Sequence, residues 1–531
     1  MAWRGVPCGF RPCKLRLRSP LNRRPGHDGA NQESLRALLN IIERHPGAAF
    51  AALLLLHTVL WTALPAALYI NLPLDLIEAR LYGREWQLGY DKLPPLPWWL
   101  VEITYRIFGR DLFLYLLSQA VVVISFVVIW MTARPLVGPL GALTSVLILD
   151  GLHYFHYTAQ KFNHDVIQLP FWALAGFSFH AALRGGRLLH WSILGLSVGL
   201  ALWAKYFVAV LAIPLVLFML LNPAARRHFA TAGPYVALAV ALLVAAPHLI
   251  WLVQNEFLPF RYAAARAAPA RNLLEYVLHP LEFVAGQLFF LLPALAIAAP
   301  LWRDFQRLPP PPIDKEDWRI VTLLAFGPAA TVFALSLLTG RGTITMWGYP
   351  LWLFLGLWIV LLVQRIRRER LAAVATVWAV VFFAFVLAFI VNYTILPDYD
   401  KRQRAVFFPG QQLANEISTR FGLLTGRPLA YVIGSMWLGG NIAHYAPERP
   451  RVLIDGRPGR APWIDLGDLR ARGAAVVWTD GDLRTVPTAF RALAADAEVQ
   501  EPFTLTYHRG GARVTFGWAV LRPRPVFAAA E

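Results

Sequence analysis

Cysteine is nearly absent. Two occur in 531 residues, Cys8 and Cys13. That excludes a disulfide framework, and without a nearby histidine cluster it leaves too few ligands for a zinc site. Charge is scarce as well. Asp, Glu, Lys and Arg make up 15% of the chain, against about 25% in a soluble domain. Acid is scarcer than base, 32 residues against 50, for a formal net charge of +18. In a soluble protein such an excess points to nucleic acid. Here the cations fall mostly in short segments between apolar runs, so membrane topology explains them and no nucleic-acid partner is expected. Residues 1–30 are rich in Arg, Pro and Gly and lack the apolar core of a signal peptide. Residues 1–44 therefore read as a basic cytoplasmic extension, or in part as sequence ahead of the true start codon.

What the chain has in abundance is apolar residues, 57% of the total, with 20 tryptophans. They gather in about eleven runs, mostly long enough to cross a bilayer. The runs are 47–70, 112–133, 137–157, 166–183, 189–204, 206–221, 232–253, 283–301, 320–339, 345–363 and 371–393. The expected fold is a polytopic α-helical membrane protein. Its transmembrane part spans 45–398, with an outer loop at 71–111, and 399–531 forms a small extracytoplasmic α/β domain.

Lysine and arginine set the orientation. With the basic N-terminus inside, alternate loops hold Arg134; Arg184 and Arg187; Arg226 and Arg227; Arg303, Arg307 and Lys315; and Arg365, Arg367, Arg368 and Arg370. Every loop assigned to the cytoplasm is basic. Runs five and six touch at "LWAKYFVAV", with Lys205 between them. Joining them into one span would turn Arg226, Arg227 and "QRIRRER" outward, against the charge rule. The stretch "LPPPPIDKEDW" at 308–318 reads as a stiff cytoplasmic linker.

The outer loops differ. "LDLIEARLYGREWQLGYDKLPPLPWWL" carries Asp75, Glu78, Arg80, Arg84, Glu85, Asp91 and Lys92, more charge than a simple connection needs. Lys161, His164 and Asp165 follow near 158–165, Arg261, Arg266, Arg271 and His279 in 254–282, and Arg341 near 340. Outer arginines fit headgroup contact or an anionic substrate. The tail alternates strand-like stretches ("PLAYVIG", "RVLID", "AAVVWTD", "FTLTYH", "VTFGWAVL") with helix-like ones such as "QQLANEISTRFGLL". "GSMWLGGN" has glycines after a strand but not the spacing of a dinucleotide fingerprint.

The outer acids form a candidate reaction centre. Asp75 follows the first span and Asp165 opens the fourth, so both sit at one membrane boundary. A carboxylate there loses water and gains basicity, as a base taking a hydroxyl proton requires. Asp150, Tyr154, Tyr157 and Lys161, spaced four, three and four, read as one helical face leading to Asp165, or as a polar seam between helices. Pro94 and Pro95 stop a helix from running through the loop. Lys92 and Lys205 suit a lipid phosphate as point charges; snorkelling to the interface is the alternative for Lys205, and explains Lys92, already in an outer loop, less well. The aqueous side there has no nucleotide supply, which favours a donor carried by a membrane lipid.

The order of "GYDKLPP", "FNHDVIQLPFWAL", "LWAKYFVAV" and "PHLIWLVQNEFLPFRYA" resembles the GT-C membrane glycosyltransferases of the family 39/83 type. That group includes bacterial aminoarabinose and galacturonosyl transferases of lipid A and relatives of the protein O-mannosyltransferases. The resemblance covers about residues 45–395. It implies a polyprenyl-phosphate sugar donor, an inverting transfer, and a lipid or glycan acceptor in the cell envelope, such as lipid A or lipopolysaccharide core. It implies Asp75 as base with Asp165 and Glu78 orienting the substrates. Lys92, Lys205 and Arg261 are expected at the donor phosphate, and Tyr90, Asp91, His164 and Tyr262 at the substrate. Many relatives have Asp-Glu where this chain has Asp75-Leu76, which marks a divergent subgroup. No cofactor is demanded. Paired acids are compatible with a divalent metal, but no ligand spacing requires one. The competing readings are a flippase or transporter of a lipid-linked sugar, a protein O-glycosyltransferase, and a non-catalytic assembly protein. A transporter would carry internal repeats and broken helices at the midplane. No repeat is evident, and the charges cluster at one face.

Overall fold

The computed structural model describes residues 40–267, 269–302, 314–363, 368–400 and 402–524. The N-terminal extension to residue 39, with Cys8 and Cys13, lies outside the described residues, as do Arg303, Arg307, Arg365 and Arg367. Among the described residues, seven helices are long and apolar enough to cross a membrane, or eight if one bent pair is counted. The protein is a multi-pass membrane protein.

The helices, in chain order, are α1 (Pro46–Leu68), α2 (Leu74–Gly83), α3 (Leu96–Phe108), α4 (Leu112–Leu149), α5 (His164–Gly185), α6 (Leu188–Ala204), α7 (Ala209–Leu221), α8 (Gly233–Gln254), α9 (Leu258–Arg266), α10 (Leu273–Ala298), α11 (Lys315–Thr339), α12 (Leu355–Val363) and α13 (Arg368–Thr394). All eleven apolar runs fall at least partly on these helices, but not all as full spans. Runs two and three form the single stretch α4, which is broken at Gly138 (φ 72°, ψ 174°) between Pro135 and Pro139. Only glycine adopts that conformation cheaply, and the prolines withhold the helical N–H groups that would carry the helix past it. Beyond Leu149 the third run leaves the helix for turns and a short 3₁₀ segment, His153–Phe155. Asp150, Tyr154, Tyr157 and Lys161 therefore do not share a helical face. The tenth run is likewise mostly irregular, and only its last nine residues form α12.

Lys205 divides α6 from α7. Its backbone is extended (φ −165°, ψ 138°) and a 3₁₀ turn follows, so the two runs are separate helices. At the far end of α7 the chain bends by 86°. The proposed linker at 308–318 divides as well. Residues 308–313 lie outside the described residues. Asp314 caps α11, accepting from the Glu316 and Asp317 N–H groups, so "DKEDW" starts a helix.

Asp150 is buried in the helix bundle. Its carboxylate accepts from Trp378 Nε1 at 2.7 Å and pairs with His57 Nδ1 at 2.8 Å. The polar-seam reading holds for it: Asp150 ties α1, α4 and α13 together.

The C-terminal unit is a five-stranded mixed sheet in the order β2-β1-β3-β5-β4. Its strands are β1 (Tyr431–Gly434), β2 (Arg451–Ile454), β3 (Ala474–Trp478), β4 (Glu498–Thr506) and β5 (Arg513–Leu521). β2, β1 and β3 run parallel, and β5 and β4 close the sheet antiparallel. The central β1 and β3 are buried throughout, which is why they read as unbroken apolar runs. α14 (Gly410–Thr425) and α15 (Met436–Tyr445) pack beside it. The "GSMWLGGN" glycines serve close packing. A Cβ on Gly440 would lie 2.7 Å from Ile77 Cγ2 of α2, and one on Gly439 would meet the Val452 side chain.

Candidate active site

A cavity of about 470 Å³ opens where α2, the start of α5, the α6–α7 break and α9 meet. Asp75, Glu78, Lys161, Asn163, His164, Asp165, Lys205, Tyr262 and Arg266 line it, with Trp98, Phe207, Met346 and Trp347 as apolar wall. Asp75 and Glu78 stand one helical turn apart in the first half of α2, so their side chains share a face. Asn163 caps α5, with its Oδ1 accepting from the N–H groups of Asp165 and Val166. Its Nδ2 donates to Asp75 Oδ2 at 3.0 Å. One asparagine thus joins the two aspartates expected from the sequence.

Each carboxylate has its own lysine. Lys161 lies 3.7 Å from Asp75, Lys92 donates to Glu78 Oε1 at 2.5 Å, and Lys205 donates to Asp165 Oδ1 at 2.5 Å. Gln168 adds a second bond to Asp165 at 3.2 Å. Lys205 is buried, with its ammonium 5.6 and 5.5 Å from the Phe207 and Trp347 rings. The extended backbone at 205 is what aims it back over the start of α5. Burial lifts the Glu78 carboxyl above its ordinary range; Lys92 opposes the shift, and the Asp75 and Asp91 charges add to it.

The other expected site residues divide. Tyr262 lines the cavity from α9, its ring 5.7 Å from the Lys92 ammonium. His164 also lines the cavity, but its Nε2 is engaged with the Pro94 carbonyl at 2.9 Å, so it braces the proline turn. Tyr90 does not face the cavity. It is buried against Tyr82 and Trp98, and its hydroxyl donates to the Tyr82 carbonyl. Asp91 turns the other way from Lys92, accepting from Tyr82 Oη at 3.0 Å and Arg460 Nε at 2.7 Å. Arg261 is exposed and pairs with Glu256 outside the cavity. Arg266, one helical turn beyond Tyr262 on the same face of α9, lines it instead. Lys161, Asn163 and Arg266 join the cavity although the sequence assigned them no role there: Lys161 and Arg266 read only as outer-loop charge, and Lys161 as part of a helical face that does not form. The run of polar residues in "QKFNHD" was the available signal for the first two.

Among the described residues, no group of three or more His, Cys, Asp or Glu side chains is placed to hold a metal ion. The lysines sit among the acids, and the geometry suits an anion held beside carboxylates.

Residues 92–251 match the family model of dolichyl-phosphate-mannose-protein mannosyltransferases. A lipid A galacturonosyltransferase of Rhizobium johnstonii is 28% identical over 234 residues, 43% of this chain and 48% of that protein. A lipopolysaccharide core galacturonosyltransferase of the same organism is 25% identical over 276 residues, 49% of this chain and 53% of that protein. The chain thus spans about half the length of these curated relatives. The crystal structure of ArnT from Cupriavidus metallidurans bound to undecaprenyl phosphate aligns over 89% of this chain and 97% of that one, with a TM-score of 0.60 at 15% identity. At that coverage the match cannot be confined to the helical bundle, and the chain has the GT-C fold of membrane glycosyltransferases.

Proposed function

We propose that the protein transfers a sugar from a polyprenyl-phosphate donor to an envelope glycolipid, at the extracytoplasmic face of the inner membrane. The observation that carries this reading is the cavity at one end of the spans, lined by Asp75, Glu78 and Asp165, each of which is paired with a lysine, Lys161, Lys92 and Lys205 respectively. Its lining joins charged groups to Trp98, Phe207, Met346 and Trp347, as an amphiphilic donor demands. In this reading the N-terminus is cytoplasmic, and the C-terminal unit, residues 399–531, stands outside.

Asp75 is the proposed base. It is half-buried, held by Asn163 at 3.0 Å and Lys161 at 3.7 Å, which fixes the carboxylate while leaving its second oxygen for an acceptor hydroxyl. The acceptor oxygen attacks the anomeric carbon, the sugar–phosphate bond breaks, and the hydroxyl proton passes to Asp75. The attack comes from the face opposite the phosphate, so the configuration inverts. Lys205, Lys92 and Arg266 stabilise the phosphate that leaves with both bonding electrons. Before the donor binds, Asp165 and Glu78 hold Lys205 and Lys92 in place, and they orient the substrates. The sugar is proposed to be a uronic acid and the acceptor lipid A or lipopolysaccharide core, as the names of the two Rhizobium relatives indicate. A flippase reading has no comparable support.

The test is transfer by purified protein from polyprenyl-phosphate galacturonic acid to lipid A, read by mass spectrometry. Wild type adds one uronic acid. The Asp75→Asn protein folds and binds donor but does not transfer. Full transfer by that variant removes Asp75 from the reaction, and lipid movement without a new glycosidic bond removes the reaction itself.

A further inference from the structure

On the side of α2 and α3 away from the cavity, five arginines surround two glutamates. Arg80, Arg106 and Arg449 lie within ion-pair distance of Glu102, and Arg84 and Arg451 within that of Glu85. The pairing is lopsided in burial as well as in number. The glutamate side chains are 0% and 5% exposed, whereas those of Arg106, Arg449 and Arg451 are 53%, 39% and 37% exposed. The carboxylates sit underneath with Arg80, which is 2% exposed; Arg84 is partly covered at 18%, and the other three guanidiniums spread outward. Asp111 approaches from the next helix, but through His444 at 3.4 Å, which still leaves the cations in excess. Burial pushes the Arg80 guanidinium down to about 10; Glu102 opposes the shift and Arg449 adds to it.

Two further features set Arg449 apart. Its backbone is left-handed, at φ 48°, a conformation that costs a residue with a Cβ about 1–3 kcal/mol and persists where its surroundings enforce it. Its Nε is buried without a hydrogen-bond partner among the described residues. The patch also has an apolar border. Trp86, Ile103, Ile107 and Phe108 are exposed beside it, and the Arg106 guanidinium lies 5.3 Å from the Trp86 ring. α4, the longest apolar helix, begins just beyond at Leu112. Trp and Arg beside a spanning helix belong at the headgroup level of a bilayer. A planar guanidinium binds phosphate oxygens two at a time.

We propose that Arg84, Arg106, Arg449 and Arg451 form a docking site for the phosphate of a lipid headgroup in the adjoining leaflet. The site is separate from the cavity, across α2, and does not depend on sugar transfer. Arg80 and the two glutamates are its foundation, and Trp86, Ile103 and Ile107 lie against the acyl region. A membrane lipid fits better than an acidic protein segment because the cations are bordered by side chains that need a lipid environment.

The test uses full-length protein in nanodiscs of phosphatidylcholine alone, phosphatidylcholine with phosphatidylglycerol, and phosphatidylcholine with lipid A. Lipids retained after detergent extraction are counted by native mass spectrometry. The variant is Arg106→Gln with Arg449→Asn and Arg451→Gln; asparagine tolerates the left-handed backbone. Wild type retains the anionic phosphatidylglycerol or lipid A in preference to zwitterionic phosphatidylcholine, whose phosphate is offset by its own ammonium, and the triple variant retains about tenfold less of the anionic lipid while staying folded in phosphatidylcholine alone. A variant that unfolds in that neutral lipid is replaced by Arg106→Gln alone, which lies on an exposed helix face and must show the same loss in part. Unchanged retention in the variants overturns the proposal. So does equal stabilisation of wild type by inorganic phosphate or a soluble acidic peptide, because the site would then not read a lipid.

Discussion

The two faces of α2 use charge in opposite ways. Toward the cavity, Asp75 and Glu78 each meet one lysine. Toward α3 and the C-terminal unit, Arg80 and Arg84 lie in a cluster with more guanidinium than carboxylate. The cavity face is neutral in pairs, built from flexible point charges that can be drawn off a carboxylate by an arriving phosphate. The outer face is a rigid fork-and-carboxylate assembly that joins distant parts of the chain. Lysine suits the first task and arginine the second. One short helix thus separates groups that must change partners from groups that must not.

The largest expected effect breaks the comparison at its first term. Asp75→Asn lowers transfer by about 10²- to 10⁴-fold, the span typical of losing a general base, and leaves the melting temperature near wild type. A variant that instead unfolds would make Asp75 a structural residue like those across the helix. Arg80→Ala is the counterpart. Arg80 is buried, pairs with Glu102 and stacks over the Tyr105 ring at 3.7 Å. Removing it takes one guanidinium from a fully buried carboxylate, at a cost of about 3 kcal/mol. The folded fraction falls, while turnover per folded molecule is retained. Loss of turnover without loss of stability would place Arg80 in the chemistry.

A smaller effect tests how the C-terminal unit is seated. Gly440 approaches Ile77 so closely that a Cβ would lie 2.7 Å from its Cγ2. Gly440→Val forces α15 off α2, at about 1–3 kcal/mol as overpacking usually costs. The same face carries the pairs that tie the unit to the outer loop, Arg451 with Glu85 and Arg460 with Asp91. Limited proteolysis between α13 and α14 should therefore speed up in the variant, with thermal stability falling alongside. Unchanged proteolysis would mean that the ion pairs alone hold the two parts together.

How much of this was legible follows from the same physics. Long spans such as α8 and α13 were readable because lipid contact demands unbroken apolar sequence. The third and tenth runs are equally apolar, yet they end or begin as irregular backbone around the cavity. Hydropathy reports burial and does not distinguish lipid from protein as the partner. The buried strands β1 and β3 were legible for the same reason. Asp75, Asp165 and Lys205, which the structure brings to one cavity, stand out in the sequence by their places at helix ends. Asp91 and Tyr90 misled because they adjoin Lys92 in the chain, whereas their partners, Arg460 and Trp463, come more than 360 residues later. No local rule reports a partner at that distance. Arg261 misled by its face of the helix: α9 presents Tyr262 and Arg266, one turn apart, to the cavity and turns Arg261 to solvent.

The smallest expected effect sharpens the comparison on the cavity face. Lys92 can serve a donor phosphate only when it is not held by Glu78. Burial, helped by the charges of Asp75 and Asp91 and opposed by Lys92, keeps the Glu78 carboxyl above the ordinary glutamate range. The sign follows directly. As pH falls toward that range, Glu78 takes up its proton earlier than a free glutamate would, and Lys92 is released while ordinary surface acids remain ionised. A sugar phosphodiester keeps its single charge throughout. The donor KM should therefore fall as pH drops through mildly acidic values, by about twofold to fivefold if one screened ion pair is at stake. Glu78→Gln should hold the KM at the lower value at every pH, because the amide cannot retain the ammonium. A pH dependence that persists unchanged in the variant would mean that another group titrates, and that release of Lys92 from Glu78 does not govern donor binding.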